Sequence, residues 1–231
     1  MYNDFEQYAQ SKLGCSKMQI DSWASLQNTL YTRPTMVSGS LTPYILEERQ
    51  MNVAQMDVFS RLMMERILWV AGVVNDAMST VVQAQLLYLD SIDDGDITMY
   101  VDSPGGSVKS GLSMVDTMNF ITSDVATMNT GMAASMGSIL LGAGTKGKRS
   151  SLPNSKVMLH QVSSGAQGHV KDMEISMAET KKYNTKLFGM LSEYTGKTPE
   201  QVLIDADRDL WLDADEALEY GIIDEVARKK D

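Results

Sequence analysis

From residue 41 onward the chain alternates short apolar runs with longer segments of helical period, and few folds accept that alternation. Asp57 to Arg66 reads as a helix with Phe59, Leu62 and Met63 on one side. Ile67-Leu68-Trp69-Val70 is a short apolar strand. Ala77 to Asp90 sets Met78, Val81, Val82, Gln85, Leu86 and Leu89 at helical spacing. Asp96 to Val101 reads as a strand, Val108 to Ile121 as a helix and Val125 to Asn129 as a strand. Ala133 to Ala143 follows as a helix and Val157 to Gln161 as another strand. Repeated strand–helix–strand units need right-handed crossovers, which build a mostly parallel sheet. The expected class is α/β.

A longer helix is expected from Val170 to Tyr194. Met173, Met177, Thr180, Asn184, Leu187, Leu191 and Tyr194 form one stripe along it. Gly196 supplies a stop, and Thr198-Pro199-Glu200-Gln201 a capped start with proline at the first helical position. Asp213-Ala214-Asp215-Glu216 resembles another start and Gly221 another stop. The long helix has two readings, an arm that packs on a partner or a helix across its own sheet, and periodicity alone does not separate them. Residues 1 to 40 differ from the rest. They are polar, nearly charge-balanced, and expected to be an extension or a removable leader. Residues 41 to 231 form the expected domain.

The 231 residues are enough to enclose a core without covalent staples. The single cysteine, Cys15, excludes an intrachain disulfide and fits a reducing compartment. No apolar run approaches the roughly 18 residues of a membrane span, and the N-terminus lacks the pattern of a secretory signal. A soluble, cytoplasmic protein with no membrane association is expected. The net charge of −10 argues against a nucleic-acid partner. The 18 methionines read as adaptable core filler or as a surface for varied apolar ligands.

The chemistry concentrates in Gly131-Met132-Ala133-Ala134-Ser135-Met136-Gly137. There a serine sits among small residues, where a strand-like run gives way to a helix-like one. Small neighbours let a backbone approach closely, and a helix start offers unpaired N–H groups. The alternative is a serine packed in a tight junction. His160, in Val157-Met158-Leu159-His160-Gln161, is a candidate base or a satisfied strand-end histidine. His169 suits capping or solvent exposure. Two histidines without cysteine or acidic spacing make no metal site, so none is expected. Spacing does not select an acid, because 30 carboxylates compete, although Asp205, Asp207 and Asp209 cluster. Ser103-Pro104-Gly105-Gly106 reads as an N–H-bearing turn, or as a plain strand–helix turn. A phosphate cradle would need a lysine that is missing.

These residues, with Asp-Thr-Met-Asn-Phe-Ile (116–121), Gly-Lys-Arg (147–149), Leu-Pro-Asn-Ser-Lys-Val-Met-Leu-His-Gln (152–161), Asp-Arg-Asp (207–209) and Glu-Ala-Leu-Glu-Tyr-Gly-Ile-Ile-Asp (216–224), occur in an order that resembles the ClpP family, the proteolytic subunits of ATP-dependent Clp proteases. The resemblance covers about Leu41 to Val226. It implies a crotonase-like fold of repeated β–β–α units with a protruding handle, matched here by the long helix. It implies Ser135 as nucleophile, His160 as general base and Asp209 as orienting acid. It implies Gly106 and Met136 as oxyanion-hole donors. Gly105, Ser107 and Val108 would pair with an extended peptide as a strand, and Val162, Ser163 and the residues to Gly165 would flank it. Tyr100 and Phe120 match positions where an AAA+ unfoldase docks. The implied assembly is two stacked heptameric rings, a homo-oligomer or one mixed with a paralogue. The implied substrates are unfolded polypeptides, and no cofactor is needed.

The chain departs from the family pattern in places. Thr98 stands where an aromatic is common and Asp102 where asparagine is usual. Val162 replaces a frequent proline, and Ser163-Ser164 a glycine-rich pair. A second reading is therefore a weakly active or structural ring subunit working with a second subunit of this type. A third is a crotonase-type acyl-CoA enzyme, which the matching Ser135, His160 and Asp209 positions disfavour.

Overall fold

The computed structural model describes residues 44–49, 52–165 and 167–229, so the expectation for residues 1 to 40 lies outside the described residues. An antiparallel hairpin opens the described chain, β1 (Tyr44–Arg49) with β2 (Asn52–Asp57). Asp57 then caps α1 (Val58–Met64) by accepting from Ser60 N. The main sheet holds β3 (Ile67–Ala71), β4 (Ile97–Ser103), β5 (Val125–Ala134), β6 (Arg149–Ser151) and β9 (Glu225–Val226), paired in that order and parallel throughout. Two further strands leave this path: β7 (Lys156–Leu159) runs parallel to β5, and β8 (Leu210–Asp213) runs antiparallel to β7. The α/β class with a mostly parallel sheet is the observed one.

The crossovers carry α2 (Asp76–Ile92), α3 (Val108–Phe120) and α4 (Met136–Gly142). Alternation along β4 explains why these helices cover one face. Ile97, Met99, Val101 and Ser103 are buried, while Thr98 and Tyr100 are half-buried on the other side. The buried set meets Leu86 of α2, Met114 and Val115 of α3, and Leu140 and Leu141 of α4 in one core. Each such side chain contributes about 1.5–3 kcal/mol by leaving water.

Strand β5 is longer than its sequence suggests, and α4 starts later. The expected helix over 133–143 begins only at Met136, because Ala133 and Ala134 pair with Val157 and Met158 of β7. The strand changes partner midway: Thr127, Met128 and Asn129 pair with β6, and Met132, Ala133 and Ala134 with β7. At the fork the buried Asn129 donates from Nδ2 to Lys156 O. The expected strand over 157–161 stops at Leu159, so His160 lies just past its end.

The long helix α5 (Val170–Thr195) ends at Gly196, whose φ of 73° is the left-handed stop. It buries only Leu187, Phe188 and Leu191. Val170, Ile175 and Met177 are exposed by 66, 64 and 53 %. Its first half therefore does not lie across its own sheet. Helices α6 (Pro199–Asp205), with Pro199 in the first turn after the Thr198 cap, and α7 (Ala214–Tyr220), with a capping box at Asp213, complete the fold.

Candidate active site

Three strand ends converge. From β4 the chain enters the Ser103-Pro104-Gly105-Gly106 turn, from β5 it enters Ser135, and from β7 it enters His160. Ser135 has φ 54° and ψ −121°, a conformation costly for a residue with a Cβ. The surroundings hold it there. Ser135 N donates to Met158 O at 2.9 Å, and Ser138 N and Oγ donate to Ser135 O at 3.0 and 2.6 Å. Its hydroxyl is turned toward His160, with Oγ 2.8 Å from Nε2.

Antiparallel pairing of β7 with β8 sets Leu159 opposite Leu210. One step beyond, His160 Nδ1 faces Asp209 Oδ1 at 3.5 Å. Asp209 keeps 60 % of its side chain exposed, against 23 % for His160, so this second contact is looser than the first. Gln161, which the sequence reading passed over, straps the two loops together by donating from Nε2 to Asp207 O at 3.1 Å.

The glycine turn is pinned to the loop after β3. Val74 N donates to Gly105 O and Ser107 N donates to Val74 O, both at 2.8 Å, forming a parallel bridge around Gly106. In such a bridge the central residue's own N–H points away from its partner, here from Val74. Gly106 has φ +147°, and a Cβ on it would run into the Val74 backbone. A Cβ on Gly105 would lie 2.6 Å from Ser135 Cβ, so this turn packs directly on the serine. Met136 N opens the first turn of α4, where no intrahelical acceptor exists.

Ser107 and Val108 do not form a strand. Ser107 is the N-cap of α3, its hydroxyl accepting from Ser110 N, and Val108 is the first helical residue. The extended stretch at this wall is limited to the bridge at Gly106. A cleft of about 170 Å³ lies between this wall and the segment after His160. Ser135 and His160 border it, Val162 and Ser163 flank it, and Met136, Ile139, Leu187 and Leu191 give it an apolar floor. Val162 N donates to Asn184 Oδ1 at 2.8 Å.

Asp102 accepts from Met132 N at 3.0 Å and so braces the irregular β4–β5 pairing three residues before Ser135. Its carboxylate also fills the space that a Cβ on Gly131 would need. His169 stands at the N-cap position of α5 without a side-chain cap bond. Tyr100 stacks on Trp69 at 5.0 Å, Trp69 meets Phe59 edge-on at 6.5 Å, and Phe120 is 81 % exposed. Among the described residues no group of three or more His, Cys, Asp or Glu is placed to hold a metal, and no helix is long and apolar enough to cross a membrane.

The family model described as Clp protease matches residues 49–230. Curated proteins named ATP-dependent Clp protease proteolytic subunit are similar over nearly the whole chain. The one from Bacteroides fragilis strain YCH46 is 52% identical, covering 99% of this chain and 100% of that protein. Those from Bacteroides thetaiotaomicron and Porphyromonas gingivalis are 51% and 50% identical, covering 99% and 98% of this chain and 100% and 98% of those proteins. The chain belongs to the Clp protease family, and it is a serine endopeptidase of that kind.

Proposed function

We propose that Ser135 attacks the scissile carbonyl of an unfolded polypeptide, that His160 takes and returns the proton, and that Asp209 steadies the imidazolium. The observation that carries this reading is the 2.8 Å contact between Ser135 Oγ and His160 Nε2, made by a serine held in a strained backbone. With the Nδ1 proton facing Asp209, Nε2 accepts from the hydroxyl and removes its proton as Oγ bonds to carbon. The N–H groups of Gly106 and Met136 receive the negative oxygen, and the glycine turn needs no rearrangement to do so. Protonated His160 then gives its proton to the leaving amine, and water repeats the sequence to release the acyl group. The 3.5 Å spacing of His160 and Asp209 belongs to the resting chain, and the contact shortens as charge develops on the ring.

Extended peptide lies between the Gly105–Val108 wall and Val162–Ser163, recognised more by backbone than by side chain. Two heptameric rings stacked through the handles enclose these sites. The exposed Val170, Ile175 and Met177 on α5 support the handle's role. A Clp-type AAA+ ATPase docks near Tyr100 and Phe120 and supplies the energy for unfolding, in keeping with the ATP dependence in the relatives' name. The compartment is the cytoplasm. The weakly active alternative draws no support from the Ser135–His160 geometry.

Intact-mass spectrometry after treatment with a fluorophosphonate tests the nucleophile. One adduct per subunit is expected in the native protein, and none in Ser135→Ala, which also loses peptide cleavage while keeping its assembly. Cleavage retained in pure Ser135→Ala protein excludes the assignment.

A further inference from the structure

The segment after His160 is held by the handle, and this chain has the groups to do it at two successive turns of α5. Val162 N donates to Asn184 Oδ1 at 2.8 Å, and the Ser164 hydroxyl lies 3.1 Å from Thr180 Oγ1, to which it donates because the Thr180 hydrogen goes to Ser176 O. Thr180 and Asn184 lie four residues apart on the same stripe as Leu187 and Leu191, which floor the cleft. The two polar members of that stripe are therefore not interruptions of an apolar face. They face the segment that flanks the cleft, and the apolar members continue beneath it. A proline at 162 has no N–H to donate, and a glycine at 164 has no hydroxyl. The residues that stand at 162 and 164 here are the ones that can answer Asn184 and Thr180.

We infer that Asn184 is a positioning residue for peptide binding: by accepting from Val162 N it fixes the distance between the 162–164 segment and the Gly106 turn, with Thr180 as a weaker second tether. The inference rests on the reading of this cleft as the peptide groove. Its consequence is specific. Loss of the tether weakens binding of a peptide long enough to reach Val162 and leaves the Ser135–His160 pair, which is held by β5 and β7, as it was.

The test measures KM and kcat for an extended peptide, and the rate of labelling by a small fluorophosphonate that reaches only Ser135, in the assembled full-length protein. Asn184→Ala is expected to raise KM by about two- to tenfold, the range for one neutral hydrogen bond, with kcat and labelling rate within twofold of the native values. Asn184→Asp, which keeps an acceptor, should restore KM. Val162→Pro should raise KM in the native background and have no added effect in Asn184→Ala, since both remove the same bond. An unchanged KM in Asn184→Ala, additive effects of the two substitutions, or a parallel fall in labelling and kcat would overturn the inference. If the native protein itself is not labelled at Ser135, the reading of the cleft fails first, and the tether's role in peptide binding fails with it.

Discussion

Ser135 holds a backbone conformation that most residues avoid, and three hydrogen bonds to its main chain hold it there. With Ser135 as the proposed nucleophile, the hydroxyl is thus aimed before substrate arrives, so little of the barrier goes to finding the rotamer. Asp209 is held differently. Its carboxylate is mostly in water and stands 3.5 Å from the ring, and the role proposed for it is to orient the imidazole and to stabilise the imidazolium. Asp209→Asn is expected to lower kcat by roughly 10³–10⁴-fold with little change in KM. Steady-state kinetics on an extended peptide will check this, and a loss confined to KM would mean that Asp209 binds substrate instead.

Among the elements, the buried Arg149 joins parts far apart in sequence. Its guanidinium takes both carboxylate oxygens of Asp224, at 2.5 and 2.8 Å, and donates to Tyr194 O at the end of α5. Burial opposes ionisation of Asp224, but the bonds from Arg149 and Gly147 outweigh it and hold the carboxyl below its ordinary value. Such a depressed carboxyl contributes stability that is complete above about pH 4 and is lost as pH falls through its lower folded value. Arg149→Met leaves that carboxylate without its partner and is expected to cost about 3 kcal/mol. Denaturation at fixed protomer concentration should show it, with the deficit shrinking at acid pH. A deficit that does not change with pH would locate the cost in packing.

The same elements show why some features were legible in the sequence and others were not. The Gly-Met-Ala-Ala-Ser-Met-Gly junction and the glycine turn announce themselves, since both need small residues locally. The length of β5 does not, because its second half is a strand by pairing with β7 and, at Ala133, with Ser103 of β4. Strands β6, β8 and β9 have two to four residues, too few for a visible alternation. The choice of Asp209 among 30 carboxylates came from family resemblance, and its physical reason is the β7–β8 register. Asn184 stands in the same helical stripe as Leu187 and Leu191, with no local sign that its partner is a backbone N–H.

For the whole molecule, the core lies under one face of the sheet, and the first half of α5 offers apolar side chains that none of the described residues covers. If the proposed double ring is joined through this face, Ile175→Glu is expected to leave folding intact and to halve the mass of the particle in native mass spectrometry, by separating rings while sparing contacts within them. An unchanged mass would exclude that face of the handle as the contact between rings.

The fork in β5 has a mechanical result. The glycine turn belongs to the β4 side of Ser135, while His160 and Asp209 both belong to the β7–β8 pair on the other. Ser135 is tied to that pair by its own N–H on Met158 O, whereas the glycine turn is pinned to Val74 on the far side. On the proposed reading of the site, proton transfer and anion stabilisation thus rest on supports from opposite sides of one strand, and the serine is where the two meet.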